Sequence, residues 1–506
     1  MKSNFKKPVS IVVYSVAFLL ITYFLIGVFI EYKIENTLNG MRSEGIQINY
    51  KALHIEPLFG NISFNNLEFV DQKQLKCTIE HLYIKDVSFW KLIKNKEVFI
   101  KEVTIENSKL HIEATKKQKN TAKKDKKESF TLNINKLDIV NSYIVLEQDS
   151  LQKESNTSID ISKMSIFRFA TNASLLSQSI PFTYNSYKGE IRNFKTTIDP
   201  YHQLIMHSFD FNEKNWLVQE LRIIPLFSKE VFINTIKYER DYMRLNKCSI
   251  TIHAPKIEEI RNKIIFSSAL IALDKIDFDI YRDKKLPDDM SVKPMYSELL
   301  RKLNILIAVD SISIKADQIS YAELLENTTQ PGKISFNDLR IGVSEINTLK
   351  TAVQNTVEIH IESKFMNQAP VTIDWAFDIN SLSDSFNIRG AVKNVEASSM
   401  NAFIKPTLNI EANGRLDALY FDFSGNKDAA LGSTAMSYNT FDVNILKEDG
   451  QHKKSVLTLL SNLIIDRKED KGIVNQKDIN VVRDKTKSFW NYFWICIKNG
   501  LIQTVL

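Results

Sequence analysis

Residues 103–112 read Val-Thr-Ile-Glu-Asn-Ser-Lys-Leu-His-Ile, and residues 137–146 repeat the pattern as Leu-Asp-Ile-Val-Asn-Ser-Tyr-Ile-Val-Leu. A looser copy, Ile-Ser-Ile-Lys-Ala-Asp-Gln-Ile-Ser-Tyr, occupies residues 312–321. Apolar residues alternate with polar ones in both halves of each copy, and a period of two predicts strands with one apolar face. The stretch therefore predicts a mainly β fold built from a repeated unit.

The apolar phase shifts by one residue across the central dipeptide of each copy, and two geometries fit this shift. If Asn107–Ser108 is a two-residue hairpin loop, Ile105 faces Leu110 on the same side of the sheet. A continuous bulged strand is the alternative. We expect eight apolar side chains of the first two copies to share one face that a lipid tail could touch: Val103, Ile105, Leu110, Ile112, Leu137, Ile139, Ile144 and Leu146.

A second repeat joins distant parts of the chain. Residues 60–69 (GNISFNNLEF) and residues 332–341 (GKISFNDLRI) agree at six of ten positions. Strand alternation begins at residue 46 and continues with few breaks, so we predict one elongated β domain over 46–465. Within it, residues 256–274 and 295–306 have apolar residues near a helical spacing, and we expect helices there that cover sheet faces or edges.

An uncharged apolar stretch of twenty-two residues, 9–30, precedes the β domain. As a helix it would be about 33 Å long, enough for the hydrocarbon core of a bilayer. Lysines precede it at positions 2, 6 and 7, and the positive-inside rule then leaves residues 1–8 in the cytoplasm and the rest exported. The sequence predicts an uncleaved signal anchor, followed by a short juxtamembrane helix over 31–45.

Composition and motifs argue against catalysis. The chain has 14 glycines in 506 residues and carries none of the familiar nucleotide-binding, nucleophile-elbow or zinc-protease motifs, so we expect no enzyme, no metal and no cofactor. The net charge of +6 is too small for its size to indicate nucleic-acid binding. Three scattered cysteines (Cys77, Cys248, Cys496) give no disulfide framework, although a single Cys77–Cys248 bridge would be compatible with an oxidising compartment.

Two further segments have an unusual composition. Residues 115–128 contain seven lysines, which indicates either a solvated loop or a contact with an anionic membrane surface. The C-terminal segment, 485–506, is an aromatic amphipathic helix by its spacing. It is either a lid on the sheet or an interfacial helix, and its membrane-interface candidates are Trp490, Trp494, Phe489 and Phe493.

Both ends of the chain resemble the AsmA-like proteins. The resemblance lies in strands around a Pro57-x-x-Gly60 turn within 46–69, and in three C-terminal stretches: 399–406, 410–416 and 431–443. It implies an inner-membrane protein of two-membraned bacteria, with most of the chain in the periplasm. It also implies an open, trough-shaped β-sheet that carries phospholipid without catalytic residues. About thirty strands stacked at about 4.8 Å extend at most about 140 Å, which is short for a complete bridge across a wide envelope, so we expect either a protein partner at the far end or a role other than full bridging. The competing hypothesis is a scaffold for outer-membrane assembly, with a closed β core and no ligand.

Overall fold

The computed structural model describes residues 6–43, 46–71, 75–88, 97–114, 131–148, 155–326, 328–351, 354–446 and 475–505. The fold is mainly β, and twenty strands form one large open sheet, with a second sheet of four strands. The chain divides into two compact units. Unit 1 comprises residues 1–200 and 206–213, and unit 2 comprises residues 201–205 and 214–506.

Helix α1, Lys6–Ser43, contains both the predicted anchor and the predicted juxtamembrane helix without a break. Within the described residues, no helix is long and apolar enough to cross a membrane. Side chains 6–19, which include half of the predicted anchor, lie outside the described part of the structure. So do residues 1–5.

Unit 1 is a sheet in which strands that follow one another along the chain pair with one another. β1 and β2 both pair with β3, and β3 to β8 then pair in order, with β5–β6 as the parallel pair among antiparallel ones. The strands are β1 (Ile46–Asn49), β2 (Ala52–Glu56), β3 (Asn61–Asp71), β4 (Leu75–Val87), β5 (Glu97–Ala114), β6 (Thr131–Gln148), β7 (Ser155–Asn172) and β8 (Ser186–Asp199). The Lys-rich segment 115–128 lies between β5 and β6, outside the described residues.

The hairpin interpretation of Asn107–Ser108 is wrong, and the continuous-strand alternative is correct. β5 runs through residue 107 without a turn, and its ladder with β4 leaves Asn107 and Glu80 unpaired. Asn107 has a φ of 54° and Asn141 a φ of 47°, a left-handed conformation that asparagine tolerates better than most residues. One such residue in a strand shifts the alternation by one, so the apolar side chains of both halves stay on one face.

Neighbouring strands make this shift in the same row, which we call the kink row. It consists of the residues left unpaired in consecutive ladders, namely Asn66, Glu80, Asn107, Asn141 and Ser162. The register between strands is therefore the same on both sides of the row. The second sequence repeat encodes the same device in unit 2, since Asp338 occupies the position of Asn66 and has a φ of 51°.

Unit 2 contains the remaining strands and the other four α-helices of the described residues, and a short 3₁₀ helix, Leu175–Ser177, belongs to unit 1. Strand β9 (His202–Asn212) contributes residues to both units. The large sheet continues in the order β10–β11–β14–β16–β17–β19–β20–β21–β22–β23–β24. These strands are β10 (Asn215–Pro225), β11 (Asp241–His253), β14 (Leu270–Asp283), β16 (Ile312–Leu324), β17 (Gly332–Val343), β19 (Thr356–Phe365), β20 (Ala369–Asp378), β21 (Phe386–Glu396), β22 (Ile410–Gly425), β23 (Ala429–Ile445) and β24 (Asn475–Val482).

The second sheet and the helices complete unit 2. The sheet joins β12 (Lys256–Ile260), β13 (Lys263–Ser268), β15 (Leu306–Val309) and β18 (Ile346–Asn347). The helices are α2 (Lys229–Thr235), α3 (Tyr296–Arg301), α4 (Ala397–Leu408) and α5 (Phe489–Val505). The predicted boundary of the β domain at residue 465 falls within 447–474, outside the described residues.

The predicted helix over 256–274 is wrong. Strands β12 and β13 form a hairpin there, and β14 begins at Leu270. The loop residues Arg261 and Asn262 have φ angles of 52° and 61°, the conformation of a type I′ hairpin turn. The helix predicted over 295–306 is shorter than expected, because α3 ends at Arg301.

The main core of the described residues lies in unit 2, between the sheet and helix α5. Phe489 stacks on Trp375 with ring centroids 4.7 Å apart, and Phe493 contacts Phe421 edge-on at 5.4 Å. Twenty-one fully buried residues form this cluster. Helix α4 packs on β17 and β22 beside it, where Asn401 exchanges two hydrogen bonds with the backbone of Ala412. Strands β20 to β24 therefore have a covered apolar face.

Candidate functional site: the apolar face of unit 1

The eight residues proposed from the sequence repeats lie in register, side by side, in β5 and β6. Val103 pairs with Leu137, Ile105 with Ile139, Leu110 with Ile144, and Ile112 with Leu146. The rows extend onto β4 and β7 through Leu75, Cys77, Leu82, Ile84, Ile159, Met164 and Ile166. Residues paired in register point to the same side of a sheet, so these fifteen side chains share one surface, which we call the apolar face.

This face is only partly covered. Of the eight residues, Val103 is fully buried at 7% exposure, while Leu146 is 36% exposed and the other six are half-buried. The fully buried cluster here contains three residues, Ile100, Val103 and Ile134, compared with twenty-one in unit 2. The long helix of this unit, α1, contacts β1 and β2, and β3 lies between those strands and the apolar face. Within the described residues, the apolar face is therefore partly exposed over β5 and β6, unlike the core of unit 2.

The length of the face suits a long apolar molecule. The fifteen residues of the face span residues 103–112 of β5 and 137–146 of β6, which corresponds to about 30 Å at 3.3 Å per residue. The tail of a phospholipid occupies about 15 Å, half of a bilayer core. The face is therefore long enough for about two acyl chains end to end.

The kink row places two hydroxyl groups in line with the apolar residues. Ser108 and Ser142 lie in register with Ile79 and Ile161, respectively. The Ser108 hydroxyl donates to the Ser142 hydroxyl at 2.7 Å, which in turn donates to the carbonyl of Val140 at 3.1 Å. Because these hydroxyl groups hydrogen-bond to each other and to a backbone carbonyl, they interrupt the apolar face without needing water as a hydrogen-bond partner.

The opposite face of the same strands is polar. Lys136 donates to Asp138 at 2.5 Å and lies 3.6 Å from Glu102, while the Ser165 hydroxyl donates to Asp138 at 2.7 Å. Burial alone would raise the pKa of Asp138, but the hydrogen bonds from Lys136 and Ser165 outweigh burial and lower it. The two faces of these strands thus differ in polarity.

A side-chain cluster that the sequence did not reveal lies on this polar face. His111 approaches Glu147 at 3.3 Å and Glu113 at 3.7 Å, and their ligand atoms all fall within 4.8 Å of one another. Local spacing could not show this group, because Glu147 belongs to the neighbouring parallel strand. All three side chains are at least one-third exposed, as expected for polar residues on a solvated face.

Cys77, which the sequence left without a role, lies on the apolar face in register with Leu110. Burial raises the pKa of its thiol. Cys248 and Cys496 are also free thiols, so the structure contains no Cys77–Cys248 bridge. An unmodified thiol on the apolar face offers a natural attachment point for probes.

The four membrane-interface candidates lie on helix α5, which packs onto the sheet. Phe489 is 3% exposed, and Phe493 and Trp494 pack against the same core. Trp490 is 46% exposed, although its ring contacts Trp375 at 5.8 Å. Of the two alternatives for the C-terminal segment, this arrangement has the geometry of a lid.

Replacing Asn107 with valine tests whether the kink row sustains the apolar face. Valine disfavours a left-handed φ, at a cost of about 1–2 kcal/mol, and cannot replace the hydrogen bond from Asn107 to Glu80 at 2.7 Å. We expect faster amide hydrogen exchange across β5 in Asn107→Val, whereas Asn107→Gly should stay close to the wild type. Equal exchange in the two variants would contradict a conformational requirement at this position.

No protein-family model matches the chain, and a search of curated proteins finds no significant match. The case for a function therefore depends on the residues and geometry of this chain, and above all on the partly exposed apolar face.

Proposed function

We propose that the chain is a membrane-anchored carrier that binds phospholipid acyl chains on the apolar face of unit 1 and takes part in lipid transport between two membranes. The observation that carries the proposal is the accessibility of the face, since seven of its eight predicted residues are half-buried or exposed. Each CH₂ group that leaves water for such a surface contributes about 0.8 kcal/mol. A bound lipid tail would therefore remove apolar surface of both the face and the tail from water.

The anchor is part of the proposal. Residues 9–30 are uncharged and apolar, and three lysines precede them. Under the positive-inside rule, the N-terminus stays in the cytoplasm and the β units enter the periplasm from the inner membrane. The resemblance of both chain ends to AsmA-like proteins supports the same topology and a sheet curled into a trough. The limited length of the β domain favours a partner protein at the far end.

Lipid transport on such a sheet requires neither a catalytic residue nor a cofactor. Acyl chains contact apolar side chains, while the headgroup stays in water or near the polar edge. The kink row keeps apolar residues on one side across residues 103–112 of β5 and 137–146 of β6. Polar side chains on that surface include the Ser108–Ser142 pair and Thr157, which lies in register with Leu146.

A second candidate function is a scaffold in outer-membrane assembly. The observation that favours it is the closed core of unit 2, where helix α5 covers the sheet and Phe423 and Val357 are fully buried. A protein built throughout in this way would have no room for a ligand. The lipid carrier therefore requires an accessible apolar face in unit 1, whereas the scaffold requires a closed core there.

A photo-crosslinking amino acid at Ile105 tests the proposal. In the full-length protein extracted with mild detergent, we expect mass spectrometry to detect phospholipid adducts at Ile105, on the apolar face. Thr104 is the matched control, since it is the next residue on the same strand and lies in register with Asp138 on the polar face. Adducts at neither position, together with an absence of co-purified phospholipid, would favour the scaffold.

A further inference from the structure

The turn between β2 and β3 displays two large apolar side chains to solvent. Leu58 is 77% exposed and Phe59 is 69% exposed, and among the large apolar residues in the described part of unit 1 only Phe24 equals Phe59. They stand between Pro57 and Gly60, and they lie outside the apolar face described above. Such exposure is costly unless the side chains have a partner.

The turn is held in a defined conformation. The amide of Phe59 donates to the carbonyl of Glu56 at 3.1 Å, and the amide of Val87 donates to the carbonyl of Gly60 at 2.9 Å. Gly60 has a φ of 65°, and a Cβ at this position would lie 2.7 Å from the carbonyl oxygen of Val87. Leu58 and Phe59 are thus presented by a fixed turn, which lowers the entropy cost of inserting them into another phase.

The turn lies beside the apolar part of helix α1. A Cβ built on Gly27 would be 3.3 Å from Cγ of Pro57, and α1 contacts both β1 and β2. Nearer the C-terminus of α1, the Tyr50 hydroxyl donates to Glu35 at 3.2 Å. The chain therefore returns along α1 from its charged end to the level of Gly27, within the uncharged stretch 9–30.

The helix exposes apolar side chains at the same level. Phe24 is 69% exposed and Val28 is 47% exposed, one helical turn or less from Gly27. The other end of strand β3, at Asp71, pairs with Ile46 just beyond the C-terminus of α1. Two separate elements thus display apolar side chains at the same end of strand β3, beside α1.

We propose that Leu58 and Phe59 insert into the membrane leaflet beside α1, so that the β2–β3 turn seats unit 1 on the bilayer. This inference rests on the proposed anchor, because the turn is adjacent to α1 and must share its surroundings. The occupant is the lipid of the leaflet, since the turn continues the exposed apolar surface of a helix that has the composition of a membrane span. Insertion of this turn would place the Asn61 end of β3, and the ends of its neighbouring strands beside it, next to the membrane.

Depth-dependent quenching tests the insertion. The fluorescent amino acid dansylalanine is introduced at Leu58, Phe24 or Asp71 of the full-length protein, which is reconstituted in phosphatidylcholine–phosphatidylglycerol nanodiscs with or without lipids that carry a doxyl quencher. All three side chains are exposed, so the probe does not threaten folding. We expect at least twofold quenching at Phe24 and Leu58, and a change below about one-tenth at Asp71, roughly 33 Å further along β3.

Each other outcome overturns a distinct statement. Quenching at Phe24 without quenching at Leu58 leaves the anchor intact and rejects insertion of the turn. Blue-shifted emission at Leu58 that lipid quenchers do not reduce assigns the turn to a protein contact and also rejects it. Quenching at Asp71 as strong as at Leu58 means that the strand lies flat on the bilayer, against the proposed seating. The absence of quenching at Phe24 rejects the anchor itself.

Discussion

Replacing Phe489 with alanine will lower the free energy of unfolding of unit 2 by about 3–5 kcal/mol, the usual cost of truncating a buried phenylalanine. Phe489 is 3% exposed, stacks on Trp375 at 4.7 Å and meets Phe386 edge-on at 5.3 Å. Domains of this kind are stable by roughly 5–15 kcal/mol, so the variant should lose a large share of its stability. Urea unfolding of the full-length protein in mild detergent measures the change.

Two isoleucines of the same helix provide a matched control. Ile497 is 8% exposed and Ile495 is 37% exposed. Ile497→Ala should cost about 2–5 kcal/mol, whereas Ile495→Ala should cost less than about 1 kcal/mol, because its side chain is partly in water and alanine favours a helix. Equal costs at the two positions would contradict the role of α5 as a lid.

Cys496 reports on the same event locally. Burial raises the pKa of its thiol to about 12, and the thiolate is the form that reacts with maleimides. In the folded protein at pH 8 alkylation of Cys496 should be very slow. It should accelerate in Phe489→Ala at urea concentrations where the wild-type thiol is still protected.

The sequence predicts strands well because the pattern is local. Alternation at period two in 103–112 and 137–146 is visible without any knowledge of the partners, and both segments are strands. The repeat at 60–69 and 332–341 also recurs in structure, since Asn66 and Asp338 share a left-handed φ. The local sequence pattern was thus sufficient to predict the strands, and the repeated sequence carries the same left-handed residue in both copies.

The choice between hairpin and kinked strand was not local. An Asn-Ser pair can form a tight turn or a left-handed kink within a strand, and both keep Ile105 and Leu110 on one side. The conformation depends on which strands pair with the segments before and after residue 107. Both segments pair with β4 and β6, so β5 is one continuous strand. The same limit explains 256–274, where Ile257 and Ile264 have a helical spacing but lie on the two strands of a hairpin.

The composition of the apolar face could be predicted, but its exposure could not. The eight residues follow from the repeats, and their register in β5 and β6 is regular. Whether such a face is covered depends on elements far away in the sequence. In unit 2 the cover is helix α5, about one hundred residues beyond Trp375, and nothing in the strand pattern of β20 distinguishes it from that of β5.

Replacing Ile139 with aspartate will separate lipid binding from folding. Ile139 is half-buried and lies between Ile105 and Met164 in register, in the middle of the apolar face. Water can reach the new carboxylate, so unit 1 should stay folded, but an acyl chain would have to cover an unpaired charge at a cost of several kcal/mol. Because about 1.4 kcal/mol corresponds to a factor of ten, we expect phospholipid per protein to fall by about tenfold or more.

Two further aspartate variants serve as controls, one on the polar face and one in a closed core. Val140→Asp places the same charge one residue along, on the polar face in register with Lys163, and should leave both lipid content and stability close to the wild type. Ile388→Asp places it at a position 1% exposed in the closed core of unit 2, where an unpaired charge costs several kcal/mol and should prevent that unit from folding. Circular dichroism and the mass of co-purified phospholipid are measured for all three variants. If Ile139→Asp unfolds as readily as Ile388→Asp, the apolar face of unit 1 is a closed core and the lipid proposal fails. If it folds and retains its lipid, the tails bind elsewhere.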